Sequence, residues 1–220
     1  MKAHLGARSN ILVILAVVLL APLAANADAP TRNDLTLFLM HVRGGTCDLI
    51  DPTVGMITST TPANTLLFNH NDNGPITCTP VLAPDGHQLT LGEFVTVKGT
   101  ATVKCTNTGT HSVLHLSGLQ PKAVYTAWLI FVDPSGVLLG AGALGTSNSI
   151  ENSFTASSSG EGQLAVTTPA QDLSIFGQVG ACWLDVPAEV HLVLHSDNQT
   201  HGPLPGPTDT WIVNGRFLFP

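Results

Sequence analysis

The chain has 220 residues, 44% of them hydrophobic and only 10% charged, with 8 Lys or Arg against 15 Asp or Glu and a net charge of −7. Cations this few and scattered leave no electrostatic footprint for nucleic acid or anionic lipid, and both partner classes are set aside. The length suffices to bury a sizeable core, and all-β folds of this size often form one domain.

The first 27 residues read as a signal peptide. Lys2 and Arg8 form a basic start, the run ILVILAVVLL over 11–20 is wholly apolar, and Ala25-Asn26-Ala27 supplies the small-x-small pattern that a signal peptidase needs. That run is about half the ~20 residues a membrane-spanning helix requires, and Pro22 interrupts its end. There is no cysteine near the cleavage site to carry a lipid, and no later stretch is long and apolar enough to span as a helix. The expected destination is therefore the periplasm or the medium, without stable membrane insertion. Cleavage removes 27 residues, two cations and no acid, which leaves 193 residues and moves the net charge from −7 to −9.

Past Asp28 the composition is that of strands and turns, rich in Thr, Val, Gly and Pro and poor in long-chain helix formers. Short runs bounded by turn residues predict strands over 35–40, 65–68, 76–81, 94–105, 113–116, 125–132, 137–139, 163–167, 190–195 and 211–219. Asp72-Asn73-Gly74-Pro75 and Asp85-Gly86 read as turns, and Asp133-Pro134-Ser135-Gly136 as a hairpin loop. The segment 146–162 is a polar connection around a short strand at Phe154, and 204–210 is a second loop stiffened by Pro205 and Pro207. Strands at this spacing argue a sandwich. A soft boundary near Pro84 separates an N-terminal β segment (28–85), which may share the same domain, from the main sandwich (86–220).

Cys47, Cys78, Cys105 and Cys182 allow three pairings, and in an oxidising compartment an even count means bridges. Cys47–Cys78 and Cys105–Cys182 are favoured, because the first pair shares the N-terminal segment and the second joins two strands. No C-x-x-C spacing suggests structural zinc.

The most specific local pattern is VLHLSGLQPKAVYTAWLIFV, with Gly118, Leu119, Pro121 and Tyr125 at fixed offsets. It resembles the E-to-F corner of immunoglobulin-like fibronectin type III domains, where a tyrosine opens a strand after a G-L-x-P turn. The resemblance implies that the Tyr125 hydroxyl bonds upstream backbone and that the fold is an immunoglobulin- or fibronectin-like antiparallel sandwich. Ala127 stands where a true immunoglobulin domain has cysteine two residues after the tyrosine, so an inter-sheet bridge must run elsewhere, as Cys105–Cys182 does. The wider layout is similar to secreted bacterial proteins without an assigned activity, which implies a fold and no chemistry.

Chemistry is sought first in the histidines. His111-Ser-Val-Leu-His115 and His191-Leu-Val-Leu-His195 share one H-x-V-L-H pattern, with Leu114 and Leu116, or Val190, Leu192 and Leu194, facing the core and the imidazoles opposite. Were the strands neighbours, four imidazoles would share a surface able to take copper or zinc. Histidines four apart on a strand lie roughly 13 Å apart at ~3.3 Å per residue, too far to share an ion at metal–nitrogen distances of about 2.0 Å. A site then needs cross-strand pairs such as His111 with His191, or convergence of His195, Asp197 and His201 where HSDNQTH folds back. The plainer reading is half-exposed strand histidines without a ligand.

Other sites have less support. Gly140-Ala-Gly142-Ala-Leu-Gly145 spells a dinucleotide fingerprint, but no helix is readable after it, and it is taken as a strand end or bulge. No G-x-S-x-G elbow exists. Trp128 and Trp183 read as core, and Trp211 as the exposed aromatic on which a sugar could stack. Asn198-Gln199-Thr200 is a glycosylation sequon, meaningless behind a bacterial signal peptide. The expectation is a non-enzymatic extracellular binding or structural module, with an extracellular protein or glycan as partner and no cofactor. The alternative is a copper- or zinc-binding protein, or metalloenzyme, using the strand histidines.

Overall fold

The computed structural model describes residues 29–71, 76–133, 135–146, 151–170 and 182–220. The expected signal peptide and its cleavage site lie outside these residues, as does the turn at 72–75. In chain order the strands are β1 (Thr31–Asp34), β2 (Thr36–Met40), β3 (Val42–Gly44), β4 (Leu67–Asn69), β5 (Thr79–Pro80), β6 (Lys98–Thr106), β7 (Gly109–Ser117), β8 (Val124–Val132), β9 (Leu138–Ala143), β10 (Ser153–Thr155), β11 (Gly162–Pro169), β12 (Ala188–His195) and β13 (Trp211–Phe219). A one-turn helix α1 (Leu91–Phe94) replaces the start of the strand predicted from residue 94, because Thr90 and Glu93 close a capping box on it.

Two antiparallel sheets form the sandwich. One has the order β1-β6-β7-β11; the other runs β10-β8-β12-β13-β2, with β9 also on β8. A small third sheet, β3-β4-β5, carries most of the regular structure between 42 and 80. β1 pairs with β6 and β2 with β13, so the two strands before residue 41 enter both main sheets. Alternation then decides what lies between them. Ala101 and Val103 of β6, Leu114 and Leu116 of β7, and Leu164 and Val166 of β11 meet Tyr125, Ala127 and Leu129 of β8 and Val190, Leu192 and Leu194 of β12 in one core. A bulge in β13 opposite Leu192 and Val193 shifts its register, so Ile212 and Phe217 both reach this core despite their odd spacing. Asn214, at the bulge, is buried and donates its side-chain amide to the Phe94 carbonyl at 2.8 Å.

The outer face of the β8–β12–β13 sheet is also buried. Trp128, Ala143, Val193, Trp211 and Val213 form a second apolar cluster, flanked by Phe38, Met40 and Ile130. Trp128 and Trp183 are core residues, as their sequence context suggests, but Trp211 is buried as well and offers no exposed stacking platform. The reason is its place in register beside His195, under this second layer.

Both favoured disulfides are present, Cys47–Cys78 and Cys105–Cys182. The second ties β6 to the segment that feeds β12. Thr110 serves both ends of that joint, donating to the Cys182 sulfur at 3.3 Å and accepting the Trp183 amide at 3.1 Å.

The corner forms as the motif implies. Tyr125 is buried, and its hydroxyl accepts the Gln120 amide at 2.9 Å. Gly118 sits at φ +67°, and a side chain there would collide with the Thr96 carbonyl.

Two outcomes test this architecture. Tyr125→Phe leaves the buried Gln120 amide unpaired and should lower unfolding free energy by about 1–2 kcal/mol in urea melts with an unchanged slope. Because the bridges span 31 and 77 residues, loop-closure entropy makes the loss of Cys105–Cys182 the costlier, at about 4.5 kcal/mol against about 3.7 for Cys47–Cys78. Stability of the two Cys→Ala pairs should therefore rank in that order.

Candidate metal centre

The histidine strands do not come together. β7 and β12 belong to different sheets, which overturns any cross-strand pairing of His111 with His191. His111 and His115 are exposed on β7, His111 within 3.1 Å of the Thr167 hydroxyl. His191 and His195 lie on the outer face of β12, as alternation requires, yet both are buried rather than half-exposed because the second apolar cluster covers that face.

Their surroundings differ. His191 Nε2 is 2.6 Å from Glu189 Oε2, and Arg216 Nη1 donates to both oxygens of the same carboxylate while stacking on Phe38 at 4.1 Å. That group is internally satisfied on the histidine side. His195 is only 1% exposed; its Nε2 is 2.8 Å from Thr126 Oγ1, and its Nδ1 has no partner among the described residues. Trp128 Nε1 donates to the same threonine oxygen at 2.8 Å.

Beyond His195 the chain leaves the sheet and returns at Trp211. The neck closes by the Ser196 amide to the Thr210 carbonyl at 2.8 Å. A tight turn follows, with Asn198 at φ +57° and its amide donating to the His195 carbonyl at 3.1 Å. Asn198 Oδ1 accepts the Val124 amide at 3.0 Å, which pins the turn to the start of β8. Asp197 Oδ1 accepts the Gln199 amide at 3.1 Å, and its Oδ2 is 2.8 Å from His201 Nε2. Gly206, at φ +91°, lies against the His201 imidazole so closely that any side chain would displace the ring.

The result is that one ligand atom each from His195, Asp197 and His201 falls within a set no wider than 4.8 Å. With Nε2 of His195 engaged by Thr126, the nitrogen left for an ion is Nδ1. Burial, the largest influence, lowers the His195 pKa to about 4; Asp197 opposes this and His201 adds to it. The imidazole is neutral at physiological pH, the state that ligates. Asp197 and His201 keep 21% and 23% of their side-chain surface in water, so the centre has a solvent-facing side.

Sequence reading named the three donors but missed their support. Thr126 is a polar residue inside the apolar run VYTAWLIFV, and Gly206 stands between two prolines; both are legible as anomalies only once the loop is folded. Gly140 and Gly142 lie within strand β9.

No family profile matches the chain, and neither a curated protein nor a solved structure is similar to it. No helix among the described residues is long and apolar enough to cross a membrane. The two disulfides point to an oxidising, non-cytoplasmic location.

The depressed His195 pKa fixes a sign. The unfolded chain binds a proton near pH 6.5 that the folded protein refuses until about pH 4, so stability is complete above 6.5 and falls through that window. Between pH 7.5 and 4.5 the loss from this residue is about 2 kcal/mol, and buried His191, also lowered chiefly by burial, adds in the same direction. An NMR titration should find the His195 ring neutral down to near pH 4, and urea melts should weaken over the same range.

Proposed function

We propose that the protein is an exported, non-enzymatic binding module of the periplasm or medium, and that its ligand is one divalent transition-metal ion held by His195, Asp197 and His201. The observation that carries this reading is a donor set of His195, Asp197 and His201 no wider than 4.8 Å, in which His195 has its Nδ1 buried and without a partner among the described residues. Ser112, Trp183 and Trp211 also have a buried polar atom without a partner among the described residues, but His195 belongs to a set of donors close enough to share an ion, and an ion supplies the partner that burial otherwise calls for. Two imidazoles and one carboxylate suit zinc or copper, whereas calcium and magnesium favour oxygen donors. The burial of Trp211 favours an ion over the sugar that an exposed indole would have stacked. The immunoglobulin-like kinship implied by the corner is part of the same proposal, supported by the Tyr125–Gln120 bond.

The chelator-treated mature protein should take up zinc or copper at one equivalent per chain in titration calorimetry. Its melting temperature should rise with added metal. His201→Ala, at a partly exposed position, should weaken binding at least tenfold while the metal-free protein stays folded. Uptake of neither ion, or equal uptake by His201→Ala, would overturn the assignment.

A further inference from the structure

We infer that Thr126, held by Trp128, is a positioning residue that selects which nitrogen of His195 the ion receives, an inference that rests on the metal-centre reading above. The argument is one of hydrogen-bond supply. An indole N–H only donates, so Trp128 Nε1 occupies one lone pair of Thr126 Oγ1 at 2.8 Å. The threonine keeps one lone pair and one rotatable hydrogen for His195 Nε2, also 2.8 Å away. In one arrangement the hydroxyl donates to Nε2, and the ring proton sits on Nδ1, where it has no acceptor. In the other, Nε2–H donates to Oγ1, and Nδ1 presents a lone pair. Only the second binds an ion. A hydroxyl serves both by rotating, which a methyl cannot do at all and an amide cannot do without exchanging its ends.

This places Thr126 where metal-ligating histidines elsewhere keep a carboxylate or carbonyl: on the far nitrogen, where it orients the ring and, by occupying Nε2, leaves Nδ1 to the ion. The position is set by the fold. Thr126 lies on β8 in register with Val193 of β12, and the register puts Tyr125 opposite Leu194 and Val124 opposite His195. The His195 ring thus leans two residue pairs along the sheet to reach it. Both residues are buried, Thr126 at 2% and His195 at 1% exposed, so water does not substitute for the hydroxyl.

The test uses the full mature chain with zinc, and with cadmium-113 as an NMR probe. In the wild type, cadmium should couple to Nδ1 of His195, and coupling to Nε2 would overturn the inference. Thr126→Val, close in shape but without a hydroxyl, should weaken zinc binding about 10- to 100-fold. Thr126→Ser should restore it to within about threefold, a rescue that loss of packing alone would not give, since serine packs worse than valine. Should Thr126→Val not fold, the cadmium coupling in the wild type and the affinity of Thr126→Ser decide; a tenfold loss in Thr126→Ser would also count against it. Failure separates cleanly from that of the underlying reading. A wild type that binds zinc with Thr126→Val binding equally well refutes the role of Thr126 alone, whereas a wild type that binds neither ion removes the centre itself.

Discussion

β12 is buried on both of its faces, and the rest of the molecule is arranged around that fact. Its inner face, Val190, Leu192 and Leu194, fills the core between the two sheets. The outer face would ordinarily meet water, and polar residues there would need nothing more. Here Trp128, Trp211, Val193 and Val213 cover it, so each polar side chain on that face has to find a partner inside the protein or go without. Burial of a titratable ring lowers its affinity for protons, and burial of a ring nitrogen removes the water that would have satisfied it. The neutral state of His195 and its orphaned Nδ1 are two consequences of one layer of apolar side chains.

His191 shows that the layer alone does not make a site. It shares the strand and the face with His195, and it is nearly as buried. Glu189, two residues earlier on the same face, approaches its Nε2, and Arg216 from β13 balances the carboxylate. The charges there close on one another, which is the arrangement expected of a structural ion cluster. At His195 the strand ends, and the next residues leave the sheet. Its acidic neighbour Asp197 therefore belongs to a loop, where it answers to His201 and the Gln199 amide and leaves Nδ1 of His195 unpaired. Position at the end of a strand separates a satisfied histidine from an available one.

The features legible in the sequence are those that depend on short-range pattern. Alternation along β7 and β12 places Leu114, Leu116, Val190, Leu192 and Leu194 inward, the G-L-x-P-x-x-x-Y spacing gives the corner, and segment membership gives the cysteine pairs. The first two rest on residues close in sequence or on a backbone geometry that few residues adopt; the cysteine pairs, 31 and 77 residues apart, rest on there being only three ways to pair four cysteines. Sheet membership is a different matter. H-x-V-L-H reads the same on β7 and β12, and nothing local says that one strand joins β6 and β11 while the other joins β8 and β13. Trp211 looked exposed because a Pro-rich loop precedes it, and it is buried because β12 lies beside it. The fold-back of HSDNQTH was read as an alternative from its spacing alone; the turn at Asn198 and the fit of Gly206 against His201 are what bring its ends together.

No disulfide falls within the loop that carries Asp197 and His201. Cys105–Cys182 anchors the entrance to β12, and Cys47–Cys78 staples the small third sheet. Between Ser196 and Thr210 the restraints include hydrogen bonds at the neck, at Asn198 and at Asp197, and one from the Thr79 hydroxyl of β5 to the Asp209 carbonyl. Donors at 195, 197 and 201 span seven residues, a closure so short that it removes little entropy from the unfolded chain compared with the disulfides. An ion bound there therefore orders the loop and satisfies His195 more than it secures the sandwich. Under the proposed assignment the core and both disulfides would hold the scaffold without the ion, the property a module needs if loading and release are to leave the fold unchanged.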